Sequence, residues 1–238
     1  MAALFMSASF GDVSREKSTI VRANLSRVNP ESSPPPVRAL RADGRRTRAA
    51  ILQTAARLAS VEGIDGLTIG GLAAELHMSK SGLYAHFGSK VELQLATVAE
   101  AARIFDDVVV TPAMSAPSAH EKLLALCDRY LQHLRDRVFP GGCFFASAAL
   151  EMGSRPGPVR KAIADFQRRL TGLFAELVIA AQGEGHLRGE DPRALAFEIN
   201  GQFLAASAGF VLTGDAGVLD LAEHVLFRRL GHGVAPQA

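Results

Sequence analysis

Residues 67–90, which read LTIGGLAAELHMSKSGLYAHFGSK, constrain the fold more than any other part of this 238-residue chain. Thr68 and Ser79 each stand where a helix is expected to begin, because their side-chain oxygens can accept a hydrogen bond from a backbone N–H two or three residues later. The apolar residues that recur at the spacing of one helix face are Ile69, Leu72, Ala73, Leu76, Leu83 and Phe87. The segment is therefore predicted to form two short helices joined by a tight turn.

Three residues of this segment depart from the usual pattern of such a unit. His77 lies in the turn, at a position that is usually glycine, but histidine is one of the residues that adopt a positive φ more often than most. Gly70 and Gly71 lie inside the first helix, where each glycine costs roughly 1 kcal/mol relative to alanine. The first helix is therefore expected to depend on packing. A unit of this kind can place its second helix in the major groove of DNA while its neighbours hold phosphates.

The run SKSGLYAHFGSK, preceded by TIGGLAAEL and by RRTRAAILQTAARLASVEGIDGLT, resembles the N-terminal domain of the TetR family of transcriptional regulators. The resemblance is dense over residues 45–96, and beyond them only the helical layout and the chain length agree. The family pattern is a small residue after Ser-Lys, a Leu/Tyr pair, His-Phe, and a Ser-Lys that opens the next helix. The chain departs from it at Gly82, where many members carry threonine or alanine. Because Gly82 has no side chain, base recognition must depend on its neighbours.

The candidate DNA contacts come from this resemblance and from the chemistry of the side chains. Lys80 and Ser81 begin the second helix and are best placed to read base edges. The residues that offer a donor to phosphate are Thr68, Tyr84, His86 and Lys90. The complete candidate set is Arg45, Arg46, Thr68, Ser79, Lys80, Ser81, Gly82, Tyr84, His86 and Lys90. For Thr68 and His86 the alternative roles are a helix cap and a packed ring, and for Lys90 it is a solvated charge.

Charge is unevenly distributed along the chain. The net charge is +2 overall, but +4 over residues 38–90 and −3 over residues 91–238. A basic region on a more acidic body suits phosphate binding, although the asymmetry is modest. Residues 1–43 are rich in Ser, Pro and Arg and show no sustained period, which predicts disorder. The arginines of VRALRADGRRTR form either an arm over phosphates or into the minor groove, or a solvated leader.

The whole chain is predicted to be all-α, because apolar periods are helical throughout and no β-hairpin signal is present. Three parts are expected: the extension (residues 1–43), the DNA-binding head (residues 44–90) and the all-helical body (residues 91–238). The first helix of the head is predicted from Arg46 to Val61, and Ser89 is predicted to cap a fourth helix that ends near Val110. The further helical runs are 118–139, 143–152, 158–182, 192–213 and 218–230.

The last two runs are candidates for a homodimer interface. Residues 195–212 are apolar over more than one face and rich in small side chains, and residues 218–230 add further Val and Leu. The resemblance implies that these two helices pair with their copies in a four-helix bundle. A closed two-fold dimer also suits two DNA half-sites one turn apart. The alternative is that both are ordinary core helices.

The resemblance also implies a small-molecule pocket in the body, whose occupant alters the spacing of two heads. The candidate wall residues are Phe105, Tyr130, His133, Phe139, Cys143, Phe144, Phe145 and Phe166. Because few charges are expected to face inward, the effector is predicted to be apolar or weakly polar. Each of these residues has an alternative role in the plain core. Cys143 has two interpretations: a reactive thiol activated at a helix N-terminus, or a small buried hydrophobe.

Other classes of protein find little support in the sequence. The seven histidines form no His-Glu-x-x-His or Cys/His metal spacing, and phosphate-loop and nucleophile-elbow motifs are absent. No enzyme activity, metal or cofactor is expected. No run of ~18 apolar residues suggests a membrane span, no signal peptide is expected, and two cysteines fit a reducing cytoplasm.

The expected function is a repressor that binds a palindromic operator as a homodimer. The alternative is a helical small-molecule-binding protein or a redox or electrophile sensor with a vestigial head.

Overall fold

The computed structural model of the chain describes residues 37–231, with side chains described from residue 44. Helices account for most of this range and no strand occurs within it, which confirms the all-α prediction. The predicted disorder of residues 1–36 lies outside the described residues. The prediction is wrong for residues 37–43, because they form the first turns of helix α1 (Val37–Glu62). The arginines there extend a helix that was expected to begin only at Arg46.

The rest of the head consists of α2 (Ile69–Glu75) and α3 (Lys80–Phe87). Helix α4 (Lys90–Phe105) starts at Ser89, whose hydroxyl accepts from the Glu92 N–H, as predicted. It continues through a π-helical turn (Asp106–Val110) into the short α5 (Thr111–Ala113). Pro112 therefore does not end the helix. Its ring would clash with a carbonyl of the preceding turn in a regular α-helix, and the wider π-turn relieves that clash.

The body continues with five helices close to the predicted runs. They are α6 (Ala119–Arg135), α7 (Phe144–Met152), α8 (Pro158–Gly183), α9 (Pro192–Thr213) and α10 (Gly217–Arg229). Ser118 and Glu121 form a capping box at the start of α6. Helix α8 packs against α4, α6, α7 and α9, and α9 also packs against α10. Long α8 is thus the central element around which the body is built.

Apolar side chains of the described head and body form one continuous core. Phe105, Phe139, Phe174 and Phe203 are almost completely buried in it, and burial of each such ring contributes roughly 1.5–3 kcal/mol. By length and mean hydropathy (1.3) α9 also resembles a membrane span. The core helices of soluble proteins share that property, and α9 packs against α8 and α10 along its length.

Candidate functional site

Both predicted helix caps of the head are present. The Thr68 hydroxyl accepts a hydrogen bond from the Gly71 N–H at 3.0 Å, and the Ser79 hydroxyl accepts one from the Gly82 N–H at 3.1 Å. The Ser79 and Ser81 hydroxyl oxygens lie 3.3 Å apart. The side chains that begin α2 and α3 therefore also fix the backbone from which the candidate DNA contacts project.

The turn between α2 and α3 is a Schellman motif centred on His77. His77 has a φ of 51°, as its position in the turn predicted. Its N–H donates to the Ala74 carbonyl at 3.2 Å, and the Met78 N–H donates to the Ala73 carbonyl at 2.9 Å. These two bonds satisfy carbonyls that the end of α2 would otherwise leave without partners, so histidine does here what glycine usually does.

The glycines of the head make room for neighbouring side chains. A Cβ added to Gly70 would lie 3.4 Å from Cε of Lys80, so the Lys80 side chain runs across α2 at this point. A Cβ added to Gly82 would lie 3.1 Å from the Ser79 hydroxyl that caps α3. The helix-weakening glycine at position 70 thus provides the surface along which Lys80 extends.

The residues of α3 that were predicted to contact DNA lie mostly on its exposed side. Lys80 and Ser81 are exposed, and Tyr84 is 54% exposed although it is aromatic. His86 is half-buried with its ring 6.1 Å from that of Phe87. Leu83 and Phe87 are buried and hold α3 to the rest of the head, as predicted. The N-terminal half of α3 thus presents polar side chains to solvent.

The two arginines that were predicted to contact DNA lie on α1. Arg45 and Arg46 are exposed there. The neighbouring Arg48 is half-buried, with its guanidinium carbon 4.7 Å from the centroid of the Phe87 ring. This stacking packs α1 against α3. The basic surface therefore continues from α3 onto α1 as a helix and not as an extended arm.

Lys90 has partners within the head that the sequence did not indicate. Its ammonium donates to the Asp65 carbonyl oxygen at 2.6 Å and lies 3.4 Å from the Asp65 carboxylate. Arg155 also contacts this carboxylate, at 2.5 Å. The hydrogen bonds from Arg155 and Lys90 lower the pKa of Asp65, so it stays charged at neutral pH. Because an ammonium has three donors, one of them remains for a phosphate.

The segment that joins α1 to α2 is held by the body. The Glu151 carboxylate, on α7, accepts from the N–H groups of Ile64 and Asp65, each at 2.8 Å. The buried Gln94 amide, on α4, donates to the Ile64 carbonyl at 2.7 Å. Sequence patterns carried no signal for these bonds, since they join residues far apart along the chain. They connect the head directly to α4 and α7.

A second connection passes through the two glycines before α7. The Gly141 N–H donates to the Ser60 hydroxyl of α1 at 3.1 Å, and that hydroxyl donates to the Arg57 carbonyl at 2.7 Å. Two residues later, the Cys143 N–H donates to the Ser207 hydroxyl of α9 at 3.1 Å. The loop before α7 therefore contacts α1 on one side and α9 on the other.

All the predicted wall residues of the pocket are buried in one aromatic cluster between α4, α6, α7 and α8. Phe105 is its centre, with ring centroids 5.4 Å from Tyr130, 5.6 Å from His133 and 5.3 Å from Phe166. The remaining ring contacts join Phe139, Phe144 and Phe145 to these residues. Phe203 of α9, stacked on Tyr130 at 3.9 Å, belongs to the cluster but was not predicted. Its position within the apolar run of α9 did not distinguish it from the core.

Cys143 is buried, and this bears on the two interpretations of its thiol, as a reactive group or as a small hydrophobe. Burial raises the pKa of the thiol, and hydrogen bonds from Tyr130 and from backbone N–H groups only partly offset that effect. Burial therefore argues against a thiol activated at a helix N-terminus. A buried, protonated thiol is a poor nucleophile. Cys143 fits the role of a small buried hydrophobe that also accepts a hydrogen bond from Tyr130.

His133 is the exceptional polar group of this cluster. It is 3% exposed, and neither ring nitrogen has a hydrogen-bond partner. Burial lowers the pKa of His133 to about 4, so the ring is neutral at physiological pH. An unpartnered buried polar group costs about 1–3 kcal/mol of stability. The fold thus carries an unfavourable group where a phenylalanine would fit among similar rings.

Helices α9 and α10 each have an apolar face that this single chain leaves in solvent. Phe197 is 77% exposed, Leu212 86% and Leu221 64%. The other exposed apolar residues of this surface are Leu204, Val211 and Val225. Leu219, Ala222 and Leu226 lie on the buried side of α10. Each helix therefore has one face buried in the core and an opposite apolar face exposed to solvent. The interpretation as a core helix describes the first face, and the interpretation as a dimer interface concerns the second.

Titratable and sulfur-containing side chains form no metal site in the part of the chain that the structure describes. No group of three or more His, Cys, Asp or Glu residues is suitably placed there. The buried polar side chains serve the packing of helices instead. The features that stand out in the described residues are the polar α3 surface, the apolar α9–α10 surface and the aromatic cluster.

Comparison with known proteins relates both parts of the chain to one family. Residues 51–97 match the family model described as bacterial regulatory proteins, tetR family. Residues 119–226 match the model described as the tetracyclin repressor-like C-terminal domain. Together the two models span well over half of the chain. None of the curated proteins matches it significantly.

Solved structures show the same fold over most of the chain. A TetR transcriptional regulator from Chloroflexus aurantiacus is 24% identical, with a TM-score of 0.74 over 81% of this chain and 98% of that one. SCO4454, a TetR-family regulator from Streptomyces coelicolor, is 26% identical, with a TM-score of 0.66 over 79% and 96%. AibR in complex with isovaleryl coenzyme A and operator DNA is 25% identical, with a TM-score of 0.63 over 76% and 98%.

Proposed function

Because the chain belongs to the TetR family of transcriptional regulators, we propose that it represses transcription by binding a palindromic operator as a homodimer. A small effector that binds in the body releases it from DNA. The observation that carries this proposal is the exposed polar start of α3, held by two side-chain caps on a head that is bonded to the body. AibR, at 25% identity, is a relative solved with both operator DNA and a small molecule.

DNA binding is supported by the distribution of side chains on the head. Lys80 and Ser81 stand at the start of α3, where a recognition helix meets base edges. The positions proposed to hold phosphate are Arg45, Arg46, Thr68, Tyr84, His86 and Lys90. Ser79 and Gly82 supply the cap and the backbone N–H on which the start of α3 depends. Phosphate contacts fix register, whereas Lys80 and Ser81 supply sequence preference.

Salt dependence tests this assignment. We expect the binding constant for operator DNA to fall steeply with salt, and Lys90→Ala to weaken binding to all sequences and to reduce the log–log slope by about 0.9. Lys80→Ala should also relax the preference for operator over random DNA, because a base contact is lost. Fluorescence anisotropy at several salt concentrations measures both effects. Uniform loss in both variants would make Lys80 a phosphate contact, and no binding even at low salt would favour a vestigial head.

Homodimer formation is supported by the apolar face of α9 and α10. Phe197, Leu212 and Leu221 are each more than half exposed, and aromatic and large apolar side chains at this density are typical of interface cores. A two-fold pairing of the face would bury it and place two heads on one side of DNA. The groove of about 680 Å³ between α8 and α9, which Phe197 also lines, adjoins the same surface.

The effector site is proposed in the aromatic cluster. Phe105 stands at the end of α4, the helix that also carries Gln94 and Lys90 toward the head. The loop before α7, which carries Cys143, contacts α1 through Gly141. A molecule in the cluster therefore adjoins both connections to the head. It releases DNA if it prefers the arrangement that DNA disfavours, and DNA then weakens its binding by the same factor.

The remaining elements of the proposal follow from DNA binding. A regulator that binds operator DNA acts in the cytoplasm of a bacterial cell, and this chain needs neither a metal nor a cofactor to do so. No reaction is assigned to it. The alternative function, a redox or electrophile sensor that uses a thiol, is disfavoured because Cys143 is buried and protonated. The apolar or weakly polar nature of the effector is supported by the aromatic walls of the cluster.

A further inference from the structure

Among the side chains that the structure describes, the buried polar residues have hydrogen-bond partners except for one inside the aromatic cluster. Nη1 of the half-buried Arg48 also lacks a hydrogen bond, but that guanidinium stacks on the Phe87 ring. Those with a partner are Ser60, Gln94, Thr97, Glu100, His120 and Ser207. His133 has none at either ring nitrogen, although it is equally buried. Buried polar groups in folded proteins nearly always have a partner. An exception at the proposed effector site therefore points to a partner that is not among the described residues.

The surroundings of His133 limit the chemistry of that partner. Its ring meets those of Phe105 at 5.6 Å, Phe139 at 5.4 Å and Tyr130 at 6.3 Å, all nearly edge to face. The Tyr130 hydroxyl already donates a hydrogen bond to the Cys143 sulfur. These walls are flat and uncharged. A carboxylate placed among them would lack a counterion, and its desolvation would be costly.

A surface groove between α4 and α8 adjoins the cluster. An open groove of about 350 Å³ there is lined by Val98, Ala102 and Phe166, among others. The Phe166 ring lies between this groove and Phe105, whose ring centroid is 5.3 Å away. At its mouth, Arg169 lies 5.0 Å from the Phe166 ring and pairs with Asp106 at 2.9 Å. Phe166 therefore contributes to both the groove and the cluster.

We propose that His133 binds the hydroxyl or carbonyl group of an uncharged, flat effector whose apolar part lies among the rings of the cluster. A neutral imidazole has one nitrogen that donates and one that accepts, so it can serve either group. This inference rests on the proposed effector response and adds the class of molecule and the residue that selects it. It assigns His133 a binding role for which the protein accepts a less favourable core.

Stability distinguishes this role from a structural one. His133→Phe and the smaller His133→Leu should leave the melting temperature of the ligand-free protein unchanged or raise it, because an unpartnered polar group is removed. The matched control is His120→Phe. His120 is also buried, but its Nε2 lies 2.8 Å from the Leu230 carbonyl oxygen, so this variant should melt at a lower temperature. A clear fall in melting temperature for both His133 variants would show that the ring is structural, and would overturn the proposal.

Binding of three single-ring probes tests the chemistry. Isothermal titration of the full-length protein with p-cresol, p-xylene and p-toluate compares a hydroxyl, a methyl and a carboxylate on the same ring. We expect p-cresol to bind about tenfold more tightly than either of the others, and His133→Phe to abolish this preference. Tightest binding of p-toluate, a preference that survives in His133→Phe, or no binding of p-cresol up to its solubility limit would each overturn the proposal.

Operator binding of the same proteins is measured separately. His133→Phe should require a higher concentration of p-cresol for release of operator than the original chain, with each protein compared with its own operator affinity in the absence of p-cresol. If p-cresol binds through His133 yet never releases operator, the inferred site is supported and the proposed release mechanism fails. The two claims therefore fail in different experiments.

Discussion

The double variant Phe197→Glu, Leu221→Glu should be monomeric and should bind operator roughly 10²–10⁴-fold more weakly than the original chain, because the second half-site contact of a linked pair is lost. Both side chains are more than half exposed on the apolar face of α9 and α10. Two carboxylates per chain would be buried against their copies in a dimer. Like charges placed in an apolar interface oppose association strongly.

Sedimentation velocity and operator titration measure the two effects. Val61→Glu is the matched control, because Val61 is 64% exposed on α1 and lies outside the α9–α10 face. That control should remain dimeric. The melting temperature of the double variant at fixed concentration shows whether each chain still folds. A dimer that persists in the double variant would place the interface elsewhere on the molecule.

Among the glycines that the structure describes, Gly141 should be the one at which substitution by alanine is most damaging. The added Cβ would lie 1.8 Å from the Ser60 carbonyl oxygen of α1, where no flexible side chain can move aside. The loop must shift, and its hydrogen bond to the Ser60 hydroxyl is then lost. We expect a destabilisation of about 3 kcal/mol, which lowers the melting temperature by about 6–12 °C for a chain of this size.

Gly172→Ala is the control for this prediction. Gly172 lies inside α8, and a Cβ added there meets nothing within 4 Å. Because alanine favours a helix interior over glycine by roughly 0.5–1 kcal/mol, this variant should be as stable as the original chain or more so. Thermal unfolding followed by circular dichroism compares the two. Equal stability of both variants would show that the contact between the loop and α1 is not close.

Local features of the fold were predictable from sequence because short-range physics determines them. The caps at Thr68, Ser79 and Ser89 require only a hydroxyl three residues before an N–H. The positive φ of His77 follows from its place in a tight turn. The aromatic residues that the family resemblance implied as pocket walls lie together in one cluster, but their role as a binding site remains a prediction.

Long-range contacts were not predictable, because they depend on how helices meet. Glu151 contacts Ile64 and Asp65 from another part of the chain, and no pattern near it indicates that role. The engagement of Lys90 by Asp65 likewise depends on the path of the segment between α1 and α2. Burial favours one of the two interpretations of Cys143, the small buried hydrophobe, since desolvation raises the pKa of its thiol despite its position at a helix start.

These contacts suggest how the binding of the proposed effector in the body could change the position of the DNA-binding head. The head is bonded to α7 through Glu151, to α4 through Gln94, and to the loop before α7 through Gly141. All three elements line or adjoin the aromatic cluster. A change in the packing of the cluster therefore has short routes to the segment that carries α2 and α3.

Selection of bound sites from a random DNA pool tests the central claim most directly. We predict enrichment of a palindrome whose half-sites lie one helical turn of about 10 bp, or a whole multiple of it, apart. The enriched sequence should lose definition within each half-site in Lys80→Ala. Failure to enrich any sequence, or enrichment of a single unrepeated half-site by the dimeric protein, would contradict the account.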